Sequence, residues 1–329
     1  MALVPFPSEP VIDSFLEAFE FVGHHADVVA NHYDDGVPWD SVLVGHTPGD
    51  AVREDFAYRR YRALQLHLRT TVALSWLNTS RDSLAPGWGR TPWPAEVAAD
   101  PTFANPAVRR ALKFWAAWAA TYYEPDAISP GIEINFYARL RPDDWPNLVS
   151  LYAEVYDTLK VLRPGTAVFP TWQLDEMHRH GQWSLVTPLG SRMDALGVSL
   201  YPQLYGYTPA TLPRGYLGDA RTLTGVFGPL VVSETGYGDS SIAAYGVVGT
   251  PELQREYATW LVHQADSLGV RQLTWFFPTD AWGVIAAAGN PQLAAFGPMG
   301  LRRRDRTAKP ALSVWDAAVA RPYQAPSLP

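Results

Sequence analysis

The chain has 329 residues, with 26 Lys and Arg against 33 Asp and Glu, a formal charge of −7. Hydrophobic residues make up 47% and charged ones 18%, enough to bury a large core and to exclude a disordered chain. The acidic balance argues against nucleic acid as a partner, and the absence of cysteine excludes disulfides, thiolate metal sites and thiol catalysis.

The start, Met1-Ala2-Leu3-Val4-Pro5-Phe6-Pro7, has no basic n-region and no long apolar h-region, so no signal peptide is read there. A secreted or periplasmic location with the leader already removed is expected ahead of a cytoplasmic one. No stretch approaches the roughly 18–20 apolar residues of a membrane span, and no membrane partner is expected. From there one order recurs: a short apolar run, a polar or Gly/Pro loop, then a helical pattern. The apolar runs fall at 3–6, 27–32, 71–78, 131–137, 166–172, 195–201, 230–234 and 272–277. Helical spacing falls between them at 11–22, 56–68, 106–122, 145–162 and 252–268. The last helix carries a start signal in Thr250-Pro251. Strands buried on both faces read as continuous apolar runs, the mark of a parallel sheet. About eight such β-then-α units predict a (β/α)8 TIM barrel. No glycine-rich dinucleotide fingerprint follows the first run, and Pro and Gly are spread without forming a linker. Residues 1–329 therefore read as one catalytic barrel domain.

In such barrels the chemistry sits at the C-terminal ends of the strands. The residues ending the runs are Asn31, His32, Asp34, Asp35 and Trp39 on the second, then Trp76 and Asn78 on the third. Glu133, Asn135 and Tyr137 belong to the fourth, where period-two alternation sets them on one face. Trp172, Gln173 and Asp175 end the fifth, Ser199 and Tyr201 the sixth, Glu234 the seventh, Trp275 and Asp280 the eighth. Glu133 and Glu234 each interrupt an apolar strand, and an unpaired buried carboxylate costs several kcal/mol, so each needs a purpose. Salt bridging to an Arg is the structural alternative. Two carboxylates across a pocket are what glycoside hydrolysis uses, one as acid and one as nucleophile, and a separation of about 5–5.5 Å predicts retention of configuration.

These residues carry a family resemblance. Val231-Val232-Ser233-Glu234-Thr235-Gly236-Tyr237 resembles the seventh-strand nucleophile segment of clan A glycoside hydrolases, in particular endo-β-1,4-galactanases. Gly131-Ile132-Glu133-Ile134-Asn135 resembles the fourth-strand acid/base segment, Leu196 to Pro202 the sixth strand, and Leu273-Thr274-Trp275-Phe276 the eighth. The resemblance spans nearly the whole chain and implies Glu234 as nucleophile, Glu133 as acid/base, Tyr201 as a hydrogen-bond partner of the nucleophile and Trp275 as the floor of the −1 subsite. One departure marks a divergent member: Ile132 stands where the clan places Asn, and Asn135 is the candidate substitute.

Trp39, Trp76, Trp172 and Trp275 are expected to stack on sugar rings, with core packing as the alternative. Asn78, Asn135 and Tyr137 are expected to read hydroxyls, as is His32, for which packing is an equal alternative. Trp115 and Trp118 belong to helix packing. No metal or other cofactor is expected: His24-His25 reads as surface, His178-Arg179-His180 lacks a third ligand, and Asp34-Asp35-Gly36 reads as a turn. The resulting expectation is a monomeric retaining glycoside hydrolase acting on β-linked oligo- or polysaccharides. Loops 78–101 and 201–217 suggest endo action. A catalytically weak or inactive carbohydrate-binding barrel is the alternative.

Overall fold

The computed structural model describes residues 1–34, 36–223 and 227–322, the side chain of Gln292 apart. Among the described residues nine strands are interspersed with helices: β1 (Ala2–Leu3), β2 (Val28–Tyr33), β3 (Arg69–Leu74), β4 (Ala127–Pro130), β5 (Ala167–Val168), β6 (Thr171–Gln173), β7 (Leu196–Leu200), β8 (Leu230–Thr235) and β9 (Gln272–Trp275). They form one sheet in the order β5-β4-β3-β2-β1-β9-β8-β7-β6, with parallel pairing of β1 to β2 and β9, of β4 to β3 and β5, and of β8 to β9. The two ends of that order, β5 and β6, are consecutive stretches of chain parted only by Phe169-Pro170, where Pro170 has no N–H to donate. Taken as one interrupted strand, they reduce the sheet to eight positions that return on themselves. That is the (β/α)8 barrel expected from the run-and-helix order.

Helices at Ile12–His25, Asp50–Gln65, Pro106–Tyr123, Trp145–Leu162 and Pro251–Leu268 match the helical spacings of the sequence. The Thr250 start signal is real: its side chain accepts from the Leu253 N–H at 3.2 Å. The fourth strand is a correction. It occupies Ala127–Pro130, before the expected 131–137, and Ile134–Leu140 is a helix. Pro130 closes the strand, Gly131 turns at φ +104° and Glu133 at φ +50°. The apolar set Ile134, Tyr137, Ala138 then follows helical spacing. A seven-residue run satisfied both periods, and Pro130-Gly131 decided between them.

Contacts divide the chain into two compact units. One takes Met1–Ala30 and the chain from Ser199 on, except Phe227 and Gly228; the other takes Asn31–Val198 with those two. In the first, Val4, Val28, Tyr201, Phe276, Phe277 and Met299 share a buried apolar cluster. In the second, Trp39, Trp76, Trp115 and Trp172 are fully buried. Among the described residues no helix is long and apolar enough to cross a membrane.

Gly197 lets β7 run close to the interruption between β5 and β6. A Cβ there would lie 2.7 Å from the Phe169 ring and 3.2 Å from the Pro170 carbonyl. Gly197→Ala is expected to destabilise the fold by about 1–3 kcal/mol through overpacking, read as a lower denaturation midpoint at unchanged m-value.

Candidate active site

In the unit holding Asn31–Val198, the ends of β2, β3 and β4 bring together residues far apart in sequence. His32, in β2, places Nδ1 2.7 Å from Asp34 Oδ2. Arg81, on the turn after β3, reaches Asp34 Oδ1 at 3.8 Å and donates through Nε to Glu133 Oε2 at 3.3 Å and through Nη1 to Ser75 Oγ at 3.3 Å. Partial desolvation of the Asp34 carboxyl favours its neutral form. The His32 imidazole and then the Arg81 guanidinium outweigh this and hold it well below the usual carboxylate range. Asp35, read with Asp34 and Gly36 as a turn, lies outside the described residues.

Arg81 (φ +58°) and Glu133 (φ +50°) both have left-handed backbones. For a non-glycine residue that conformation costs of order 1–3 kcal/mol and persists only where surrounding contacts impose it. The contacts are visible at both. The Arg81 N–H donates to the Asn78 carbonyl at 3.0 Å, and the Glu133 N–H donates to Thr171 Oγ1 at 2.9 Å. Glu133 begins the helix Ile134–Leu140 without capping it through its side chain. Its carboxylate is thereby turned to Arg81, with the side chain 12% exposed.

The other predicted residues of this unit sort differently. Asn135 is fully buried, donating to the Gln173 carbonyl (3.0 Å) and Gln182 Oε1 (2.8 Å) and accepting from the Gln173 N–H (2.7 Å). Tyr137, also fully buried, donates to Asp144 at 2.7 Å, and burial followed by that bond pushes its hydroxyl pKa up. Because a helix replaces the strand, neither shares a face with Glu133, and Asn135 does not stand in for the Asn missing before it. Asn78 closes the turn that carries Arg81, donating to Asp82 Oδ1 at 2.7 Å and accepting from the Asp82 N–H at 3.1 Å. Trp39 donates to the Ala85 carbonyl, while Trp76 flanks Gly131 and Trp172 packs edge-on to Trp145. None of these three indoles is more than 1% exposed, so they are core and not open sugar platforms. His180 lies 3.5 Å from Glu176, and the His178 ring meets Trp183 edge-on.

In the other unit, Glu234 is the last residue but one of β8 and is 6% exposed. Thr235, pointing to the opposite face, bonds the Leu200 carbonyl (2.7 Å) and the Tyr257 hydroxyl (2.6 Å), which fixes the strand end and turns Glu234 away from the helix Pro251–Leu268. The Tyr201 hydroxyl donates to Glu234 Oε2 at 3.3 Å. Trp275, at the end of β9, is fully buried and donates to the Met299 carbonyl at 2.8 Å, so its expected open face is also corrected.

The residues that sequence reasoning missed are Arg81 and Lys309. Nothing in the sequence around Arg81 marks it out, since only the fold carries it to Glu133. Lys309, with no exposed side chain, reaches Asp280 Oδ1 (2.5 Å), Asp239 Oδ1 (3.0 Å) and the Pro298 carbonyl (2.8 Å). Asp280 also accepts from the Gly300 N–H at 3.1 Å. This clamp fixes Pro298–Gly300, the segment whose Met299 carbonyl receives Trp275. A lysine among only three in the chain, in the run 307–311, was its one available signal.

No family model matches this sequence, and no curated protein matches it. Solved structures do resemble the fold. An exo-β-1,4-mannosidase from Opitutaceae bacterium strain TAV5 gives a TM-score of 0.73 at 14% identity, covering 97% of this chain and 58% of that one. A GH5_18 protein from Streptomyces cattleya in complex with Manβ1-4GlcNAc gives 0.70 at 16% identity, covering 97% and 78%. A family 17 β-1,3-glucanosyltransferase from Rhizomucor miehei gives 0.56 at 15% identity, covering 93% and 92%. The chain thus spans little more than half the length of the mannosidase it resembles.

Burial raises the Asp280 carboxyl to about 6 against the pull of Lys309. Between about pH 4 and 6 the folded chain therefore holds a proton that the unfolded chain has released, so this group's contribution to stability falls as pH rises through that window and is flat above it. The full effect is of order 3 kcal/mol. Thermal unfolding of the parent and of Asp280→Asn across pH 4–7 is expected to show this slope in the parent and its absence in the variant.

Proposed function

We propose that this barrel is a retaining glycoside hydrolase acting on β-linked glycans. The observation that carries the reading is the placement of two carboxylates, Glu133 directly after β4 and Glu234 at the end of β8. These are the fourth and seventh positions once β5 and β6 count as one strand. Barrel enzymes work at the C-terminal ends of their strands, and the structural neighbours include a mannosidase, a glucanosyltransferase and a β-1,4-mannanase. The reading does not extend to galactan, for which no named neighbour speaks.

In the proposed first step Glu133 gives its proton to the glycosidic oxygen, the bond to the leaving sugar breaks, and Glu234 bonds to the anomeric carbon. In the second, Glu133 takes a proton from water, which displaces Glu234 and releases the sugar with its configuration retained. The Tyr201 hydroxyl holds one oxygen of Glu234, orienting the other for attack. His32, in β2 and paired with Asp34, is the residue to which the reading gives recognition of a sugar hydroxyl. Loops 78–101 and 201–217 support cleavage within a chain.

Arg81 favours a second reading, a barrel that binds glycans without cleaving them. A guanidinium beside a carboxylate stabilises its charged form, whereas the first step needs Glu133 protonated. The two readings part on turnover. Against β-1,4-mannan, β-1,4-glucan, β-1,4-galactan and β-1,3-glucan, the hydrolase reading expects oligomeric products whose first-formed anomer is β by NMR. It expects Glu133→Gln to lower kcat by roughly 10²–10⁴-fold, and Glu234→Gln to abolish turnover while glycan binding persists. Binding without turnover on every glycan would establish the second reading instead.

A further inference from the structure

With the four predicted stacking indoles buried, the most exposed tryptophan is one the sequence did not single out. Trp282 opens the helix Trp282–Ala288 after β9 and is 38% exposed. A Cβ on Gly297 would lie 2.4–2.6 Å from three consecutive ring carbons, Cδ2, Cε3 and Cζ3. Near-equal distances to three adjacent carbons arise over the face of a ring and not at its edge, so the indole lies flat on the Gly297 backbone. One face is covered by Gly297, and the residue keeps 38% of its surface exposed.

The support beneath the ring is tied by backbone hydrogen bonds. Ala281, fully buried, donates its N–H to the Gly297 carbonyl at 2.9 Å, and the Val284 N–H donates to the Ser8 carbonyl at 3.1 Å. Phe296, next to Gly297, meets Tyr201 edge-on at 5.2 Å, and Tyr201 is the residue bonded to Glu234. The ring and the carboxylate therefore belong to one packed neighbourhood. At the next residue, Gly283, the Glu9 carboxylate lies where a side chain would fall, and it pairs with Arg304.

We infer that Trp282, seated on Gly297, is a stacking platform for a sugar ring of the glycan chain, remote from the ring that Glu234 attacks. The inference rests on the glycan reading above. A flat aromatic face suits the apolar C–H face of a pyranose, while the Glu9–Arg304 pair at the neighbouring residue offers charged groups for hydroxyls. Gly297 is part of the device because any larger residue lifts the ring.

The test measures binding by calorimetry in the Glu234→Gln background, using hexaoses and disaccharides of β-1,4-mannose, β-1,4-glucose, β-1,4-galactose and β-1,3-glucose. Trp282→Ala is expected to weaken the best hexaose about tenfold, the size of one aromatic contact, bringing it toward the disaccharide. Trp282→Phe is expected to keep most of the affinity, and Gly297→Ala to lose it as Trp282→Ala does with the tryptophan still present. Hexaose affinity unchanged in Trp282→Ala overturns the inference, and so does failure of every hexaose to bind. Affinity lost in Trp282→Ala alongside no turnover by the parent upholds the platform while ending the hydrolase reading.

Discussion

An ammonium group with no exposed surface must be matched by charge and hydrogen bonds, because breaking such a buried pair costs about 3–5 kcal/mol. Lys309 meets that demand with Asp239, Asp280 and the Pro298 carbonyl, one partner for each of its protons. The partners come from the segments after β8 and β9 and from the Pro298–Gly300 segment. Satisfying one cation therefore fixes three pieces of chain. Met299, held in the middle of the fixed segment, receives the Trp275 indole and packs where a side chain on Gly236 would fall, two residues past Glu234. The turn after Glu234 thus packs on a segment held by a charge some distance from it, while Thr235 fixes the strand end itself.

The unit containing Glu133 uses a different device. Arg81 and Glu133 are each held in a left-handed backbone and face one another, so strain and electrostatic attraction act at the same place. Each conformation is imposed by a backbone N–H with a fixed acceptor, the Asn78 carbonyl for Arg81 and the Thr171 hydroxyl for Glu133. Strained backbone persists only where its surroundings impose it, and here it presents the Glu133 carboxylate to a guanidinium. Asp34, with His32 behind it, shares the same guanidinium. Glu133 and Asp34 are therefore coupled through Arg81.

The aromatic excess divides by burial rather than by nearness to the acids. The chain has 13 Trp, and Trp39, Trp76, Trp172 and Trp275 spend theirs inside, where a large ring contributes most through the area it removes from water. Strand-end position picks out residues by where their element ends, and it says nothing about which face of a ring remains open. Trp282 shows the converse: a helix-start tryptophan stays exposed while one face of its ring rests on a glycine from another segment.

Much of the fold was legible in the sequence, since eight apolar runs separated by helical spacing leave few arrangements other than a parallel barrel, and burial on both faces makes those runs continuous. Glu234 was legible for the same reason, as a charge that interrupts such a run. The fourth strand was misread because seven residues from 131 to 137 satisfy period two and period 3.6 alike; Pro130 and a positive φ at Gly131 resolve it only when the chain is folded. Asn135 and Tyr137 left the candidate site with that strand. Arg81, Lys309 and Trp282 were decided by the tertiary structure alone, because what makes each of them matter is a partner 52, 29 or 15 residues away. Periodicity reports which way a side chain points from its own element. Which group it meets there is set by packing between elements, and no local pattern in the sequence records that.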